Sequence, residues 1–100
     1  MTIQIRDSGN LITLKVEGEI DHAGAESLKT SFSQINLAGK SAVVFDFQGV
    51  NYIGSTGLGK LLLFYKRLSA ENVQMRVEST TPSVRELLRE LKMDTLFSIS

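Results

Sequence analysis

The chain contains no cysteine and no tryptophan, and proline occurs only once in its 100 residues. Without cysteine there is no disulfide bond and no thiolate nucleophile. A single histidine, His22, does not make a zinc site of the usual Cys/His kind. We therefore expect neither a bound metal nor a cofactor.

An excess of charge of one sign is also missing, because 11 Lys and Arg residues balance 11 Asp and Glu residues and the net charge is zero. Like charges do not cluster into long runs, and no basic stretch alternates with aromatic residues. Runs of like charge and basic stretches interleaved with aromatic residues are typical of proteins that bind nucleic acids, and a basic face is typical of proteins that bind anionic bilayers. We expect neither kind of partner.

Long apolar segments are absent as well. No stretch approaches the roughly 18 apolar residues that cross a bilayer, and Met1–Arg6 lacks the apolar core of a secretion signal. A cytoplasmic protein is expected. With 42% hydrophobic residues, the chain suits one domain, residues 1–100, built around one modest core.

Alternation of apolar and polar residues predicts strands at 3–6, 12–17 and 73–78. The turn-forming residues of Asp7–Asn10 separate the first two strands, which predicts an antiparallel hairpin. The almost fully apolar segment 43–47 predicts a buried strand, and Phe97 and Ile99 indicate a short last one.

Three helices are predicted between these strands. Asp21 is the expected N-cap of the first helix, and Gly39 its C-terminal cap. The second helix follows a glycine-rich turn and ends near Leu68, and the third begins at Thr81-Pro82. The apolar stripes of the first and third helices have helical spacing. They comprise Ala25, Leu28, Phe32 and Ile35 in the first and Val84, Leu87, Leu88 and Leu91 in the third.

The resulting order, ββαβαβαβ, predicts an α/β fold with a mixed, mostly parallel sheet and an antiparallel N-terminal hairpin. In such sheets the loops after the strands meet at one end and commonly carry function. Asp21 and Ser55 each lie at the start of a helix that follows a strand. We therefore expect their two loops to lie at the same end of the sheet.

The glycine-rich turn Gly54–Lys60 allows three interpretations. Ser55 or Thr56 could cap the second helix. The turn also matches most of the phosphate-binding pattern G-x-x-x-x-G-K-[ST], but Leu61 replaces the hydroxyl that binds magnesium, which argues against a nucleotide site. Finally, a serine at the exposed N-terminal end of a helix is a suitable phosphate acceptor.

The apolar run Leu61–Tyr65 leaves no polar face over more than one helical turn. Such a run either belongs entirely to the core or presents part of its surface to a partner. Both alternatives remain open from the sequence.

Gly18–His22 and Val50–Gly59 together resemble the STAS domain family, and within it the bacterial anti-sigma factor antagonists. The resemblance extends over nearly the whole chain. It implies a partner-switching module in which the unphosphorylated antagonist binds a serine-kinase anti-sigma factor with a histidine-kinase-like ATPase fold. That kinase then phosphorylates the antagonist, and a PPM-type phosphatase reverses the reaction.

By the same resemblance, Ser55 aligns with the phosphorylated serine and Asp21 with an acidic residue beside it, while Thr56 is a second candidate acceptor. The implied partner-binding residues are Asp21, His22, Gly54, Ser55, Thr56 and Gly57. The family usually has aspartate where this chain has Gly54, which removes a negative charge from the site.

A hydrolase is not expected, because His22 directly follows Asp21 and a helix directs neighbouring side chains apart. The alternative function is a STAS adaptor that is not phosphorylated and belongs to a transport or lipid-trafficking complex. Substitutions of Ser55 distinguish the two, since only the switch depends on that hydroxyl.

Overall fold

The computed structural model describes all 100 residues and has the predicted order ββαβαβαβ. Its elements are β1 (Thr2–Asp7), β2 (Leu11–Glu17), α1 (His22–Ser33), β3 (Ala42–Gly49), α2 (Ser55–Ala70), β4 (Gln74–Glu78), α3 (Pro82–Glu90) and β5 (Ser98–Ile99). A short 3₁₀ turn, Met93–Thr95, lies before β5.

The five strands form one sheet in the order β1-β2-β3-β4-β5. The β1–β2 pair is antiparallel, and every other pair is parallel. Right-handed crossovers that step in one direction across a sheet place their helices on the same face. The strand residues agree with this, since Leu14 is fully buried on one face while Lys15 is exposed on the other. The mixed sheet and its N-terminal hairpin are therefore confirmed.

Aromatic side chains join the two central helices to the central strand. The rings of Phe32 in α1 and Phe64 in α2 lie 4.3 Å apart between centroids, and Phe64 lies 5.7 Å from Phe45 in β3. Such ring pairs stabilise a core beyond the area that they bury. This cluster fixes the positions of α1 and α2, whose N-termini carry the predicted functional residues.

The predicted end of α1 is wrong. The helix ends at Ser33, and Gly39 lies in the loop before β3 with a positive φ of 75°. The side-chain oxygen of Asn36 accepts a hydrogen bond from the Ala38 N–H at 3.0 Å, which offers the backbone a turn in place of another helical turn. Ile35 is buried as expected, although it lies outside the helix.

The stripe of α3 is also shorter than predicted. Leu91 is the C-cap residue and is 49% exposed, because the chain leaves the helix through Lys92 in a left-handed conformation. Thr81 is the N-cap residue, but its hydroxyl donates to the Val50 carbonyl oxygen at 3.1 Å and not to the helix. Thr81 therefore ties α3 to the segment that leads into α2.

None of the helices combines the length and the apolar character that crossing a bilayer requires.

Candidate functional site

The loops that precede α1 and α2 are joined by their backbones. The Ile20 N–H donates to the Tyr52 carbonyl at 2.9 Å, and the Gly54 N–H donates to the Ile20 carbonyl at 2.9 Å. These bonds form an isolated parallel bridge between Ile20 and Ile53. The loops carrying Asp21 and Ser55 therefore meet at the carboxyl ends of β2 and β3, as predicted from the topology.

Asp21 caps α1, as predicted. Its Oδ1 accepts a hydrogen bond from the Gly24 N–H at 2.8 Å, and the residue is exposed. His22 is the first residue of α1 and is also exposed. The cap uses only Oδ1 and the residue is exposed, so the cap does not prevent Asp21 from contacting a partner.

Ser55 is the first residue of α2 and is exposed. The N-cap is Gly54, which has extended backbone angles, and no side chain caps the helix. The interpretation of Ser55 or Thr56 as a capping residue is therefore wrong. The Ser55 hydroxyl is free for chemistry, and the first N–H groups of α2 are open to an anion at the positive end of the helix dipole.

Three glycines of this segment have different surroundings. A Cβ on Gly54 would lie 3.1 Å from the Tyr52 hydroxyl. A Cβ on Gly57 would lie 2.5 Å from Cγ2 of Ile20, so Gly57 is required by the packing of α2 against the bridge. A Cβ on Gly59 would meet no atom within 4 Å. Of the predicted partner-binding residues, Gly57 is the one that the fold buries.

Lys60 does not extend over the turn as a phosphate-binding lysine would. Its Nζ lies 3.6 Å from Oε1 of Glu26 in α1, and its side chain is only 17% exposed. Leu61, which replaces the magnesium-binding hydroxyl, is fully buried. The geometry therefore gives no support to a nucleotide site at this turn.

The apolar run divides between core and surface. Leu61 and Phe64 are buried, whereas Leu62 and Leu63 are 36% and 56% exposed. Each of the two alternatives for this run therefore holds for some of its residues. Leu62 and Leu63 lie on the solvent-facing side of α2, about two turns beyond Ser55.

Tyr52 is a surface residue that the sequence interpretation did not select. It is 51% exposed and, with Ser83 and Leu87 of α3, lines an apolar groove of about 180 Å³ beside the start of α2. The sequence feature that could have indicated its exposure is the neighbouring Ile53, which is buried in the core and leaves Tyr52 on the surface. A larger cleft of about 500 Å³ lies elsewhere, between the C-terminal half of α2 and β5.

The site contains no metal-binding cluster, since nowhere in the chain do three His, Asp or Glu side chains converge as ligands. It is a shallow protein surface formed by two helix N-termini, with one free hydroxyl and one carboxylate. Such a surface is suited to contact with another macromolecule.

The model of the STAS domain matches residues 2–100. The anti-sigma-F factor antagonist RsfB of Mycobacterium tuberculosis is 24% identical over 99 residues, which are 99% of this chain and 80% of that protein.

Solved structures agree with this match. The crystal structure of an anti-sigma factor antagonist from Mycobacterium paratuberculosis is 26% identical, with a TM-score of 0.85 over 98% of this chain and 83% of that one. The phosphorylated form of SpoIIAA, a Bacillus cell fate determinant, is 17% identical, with a TM-score of 0.75 over 99% and 91% of the two chains.

Proposed function

Because this chain belongs to the STAS domain family and is similar to anti-sigma factor antagonists, we propose that it is itself such an antagonist and works by partner switching. In its unphosphorylated form it binds a serine-kinase anti-sigma factor and so releases the sigma factor. Phosphorylation of Ser55 by the same kinase ends that complex. The observation that carries this proposal is the exposed Ser55 hydroxyl at an uncapped helix N-terminus.

Ser55 is a better acceptor than Thr56 because of its position. Ser55 is exposed as the first residue of α2, whereas Thr56 is half-buried one residue later. A phosphate on Ser55 lies near the unpaired N–H groups of the first helical turn, which favour negative charge. The modified side chain is therefore accommodated without a change of fold. SpoIIAA, which has the same fold, has been solved in a phosphorylated form.

Charge explains the release. A phosphoserine carries nearly two negative charges and three acceptor oxygens where the partner met a small neutral hydroxyl. Asp21 lies in the adjoining loop, so the modification adds to an existing negative charge. A loss of about 3 kcal/mol weakens binding by more than a hundredfold. Removal of the phosphate by a PPM-type phosphatase restores the binding surface.

The test uses purified protein and each serine-kinase anti-sigma factor of the source genome, measured by calorimetry with ADP and by intact mass with ATP. One kinase should bind the native chain, and ATP should add one phosphate to it. Ser55→Ala should keep the binding and lose the phosphate, and Ser55→Asp should lose the binding by about a hundredfold or more.

Circular dichroism of both variants is the control, since Ser55 makes no contact that the fold requires. If Ser55→Ala and Ser55→Asp bind as the native chain does, the switch is wrong and the adaptor function replaces it. A phosphate found only on Thr56 would contradict the assignment of the acceptor.

A further inference from the structure

Gly59 is a glycine that the fold does not require. It lies inside α2 with helical backbone angles, it is exposed, and a Cβ placed there would meet no atom within 4 Å. Glycine is the poorest helix former after proline, because it has the most conformational freedom to lose on folding. Alanine would therefore be the better residue for the isolated protein.

Its neighbour Gly57 provides the internal comparison. There the missing side chain is required, because a Cβ would lie 2.5 Å from Ile20 and 2.9 Å from Ile53. No such contact exists around Gly59. A reason for glycine at position 59 has to come from outside the chain.

The position of Gly59 indicates what that outside contact is. Residues four apart on a helix lie about 5–6 Å apart on the same face, so Gly59 is the nearest neighbour of Ser55 along the surface of α2. The next exposed residues on that side are Leu62 and Leu63. The one charged residue of this segment, Lys60, is paired with Glu26 of α1. For the two turns beyond Ser55, as far as the exposed Lys66, this surface therefore carries no unpaired charge and is partly apolar, as is typical of the centre of a protein interface.

We propose that Gly59 is a contact residue at which a main-chain segment of the anti-sigma factor kinase crosses α2, closer than any side chain would allow. This inference rests on the proposed function, because the kinase has to reach the Ser55 hydroxyl and so has to cover the helix one turn away. Glycine at position 59 then lowers the stability of the helix but allows the partner's backbone to approach closely. Gly59, together with Leu62 and Leu63, thereby contributes to the choice of partner.

The test is Gly59→Ala, with Ser69→Ala as the matched control. Ser69 is also exposed on α2, in its last turn and far from Ser55. Gly59→Ala should raise the melting temperature by about 3–6 °C, because alanine favours the helix. The same variant should bind the purified kinase and ADP about tenfold or more weakly, because the contact is overfilled. Ser69→Ala should leave kinase binding unchanged.

Each other result has a definite meaning. If Gly59→Ala binds the kinase as the native chain does while Ser55→Asp does not, the inference is wrong and the proposed function stands. A fall in melting temperature for Gly59→Ala would also overturn the inference, since it would show that the fold needs this glycine. If the native chain neither binds any of the kinases nor accepts phosphate, the proposed function fails, and this inference fails with it.

Discussion

At the scale of single residues, the site depends on which polar groups the fold leaves free. The carboxylate of Asp21 caps α1, yet the hydroxyls of Thr81, the N-cap residue of α3, and of Ser55, the first residue of α2, cap nothing. Thr81 donates to a carbonyl of another segment, whereas Ser55 remains available. Three similar sequence signals thus have three different uses, and only the tertiary structure distinguishes them.

Asp21 offers a way to separate stability from binding. Asparagine is an equally good N-cap, so Asp21→Asn should change the free energy of unfolding by less than about 0.5 kcal/mol, whereas Asp21→Ala should lower it by about 1 kcal/mol. Both variants remove the carboxylate that the partner is proposed to contact, and both should weaken kinase binding. Urea unfolding and calorimetry measure the two effects. Equal destabilisation by Asn and Ala would show that the charge, and not the cap, stabilises α1.

Gly57 should be intolerant of any side chain. Gly57→Ala places a methyl group against Ile20 and Ile53 at distances that require α2 to move, and should cost about 1–3 kcal/mol of unfolding free energy. Urea unfolding measures this cost, and Gly59→Ala on the same helix is its control. A Gly57→Ala variant as stable as the native chain would contradict the close packing of α2 on the bridge.

At the scale of elements, α1 and α2 are held together by a residue whose role the sequence does not reveal. The guanidinium of Arg67 in α2 donates to the Phe32 carbonyl at 3.2 Å and to the Ile35 carbonyl at 3.1 Å, and lies over the Phe32 ring. It thus adds a charged donor to carbonyl groups at and just beyond the end of α1, one of which, that of Phe32, also accepts the Ile35 N–H at 3.1 Å. Together with Phe64, it fixes α2 against α1.

Removing this link should destabilise the fold. Arg67→Ala should lower the free energy of unfolding by about 1–2 kcal/mol, because it leaves two carbonyl groups without a charged donor. Arg67→Lys should restore only part of the loss, since an ammonium group lacks the forked geometry. Lys66→Ala, at an exposed neighbouring position, is the control for urea unfolding. If Lys66→Ala and Arg67→Ala cost the same, the link between the helices contributes nothing.

The elements themselves could be predicted because alternation and helical spacing are local signals. The start predicted for β4 differs from that observed by one residue and its end agrees, while α2 continues two residues past Leu68. The prediction failed where a local signal had a competitor, as at Gly39, where the side chain of Asn36 turns the chain earlier. Arg67 contacts Phe32 and Ile35, which are more than 30 positions away in the sequence, and no sequence pattern indicates these contacts.

At the scale of the whole molecule, the crossovers place the helices on one face of the sheet. The central strand β3 pairs with a neighbouring strand on each side and is buried continuously over Ala42–Phe45, while the edge strand β1 is exposed at nearly every residue. Local opening is easiest where few apolar groups are buried. The amides of β3 should thus be the slowest to exchange with deuterium and those of β1 among the fastest. Hydrogen exchange followed by mass spectrometry checks this order, and equal protection of β1 and β3 would contradict it.

The position of the candidate site could be predicted from the topology of the fold. The expectation that Asp21 and Ser55 lie in neighbouring loops required only the order of strands and helices, and the Ile20–Ile53 bridge confirms it. The surface around them, with Tyr52 over Gly54 and an open space at Gly59, depends on packing details that the order of elements does not specify.

The unpaired amides at the start of α2 bear on how long the phosphorylated form lasts. A phosphate on Ser55 is favoured there by the helix dipole, and a phosphate monoester is among the slowest of all linkages to hydrolyse without a catalyst. In the proposed switch the phosphorylated form therefore persists after the kinase has dissociated and records that the kinase was active. Its lifetime is then determined by the activity of the phosphatase, and not by this protein.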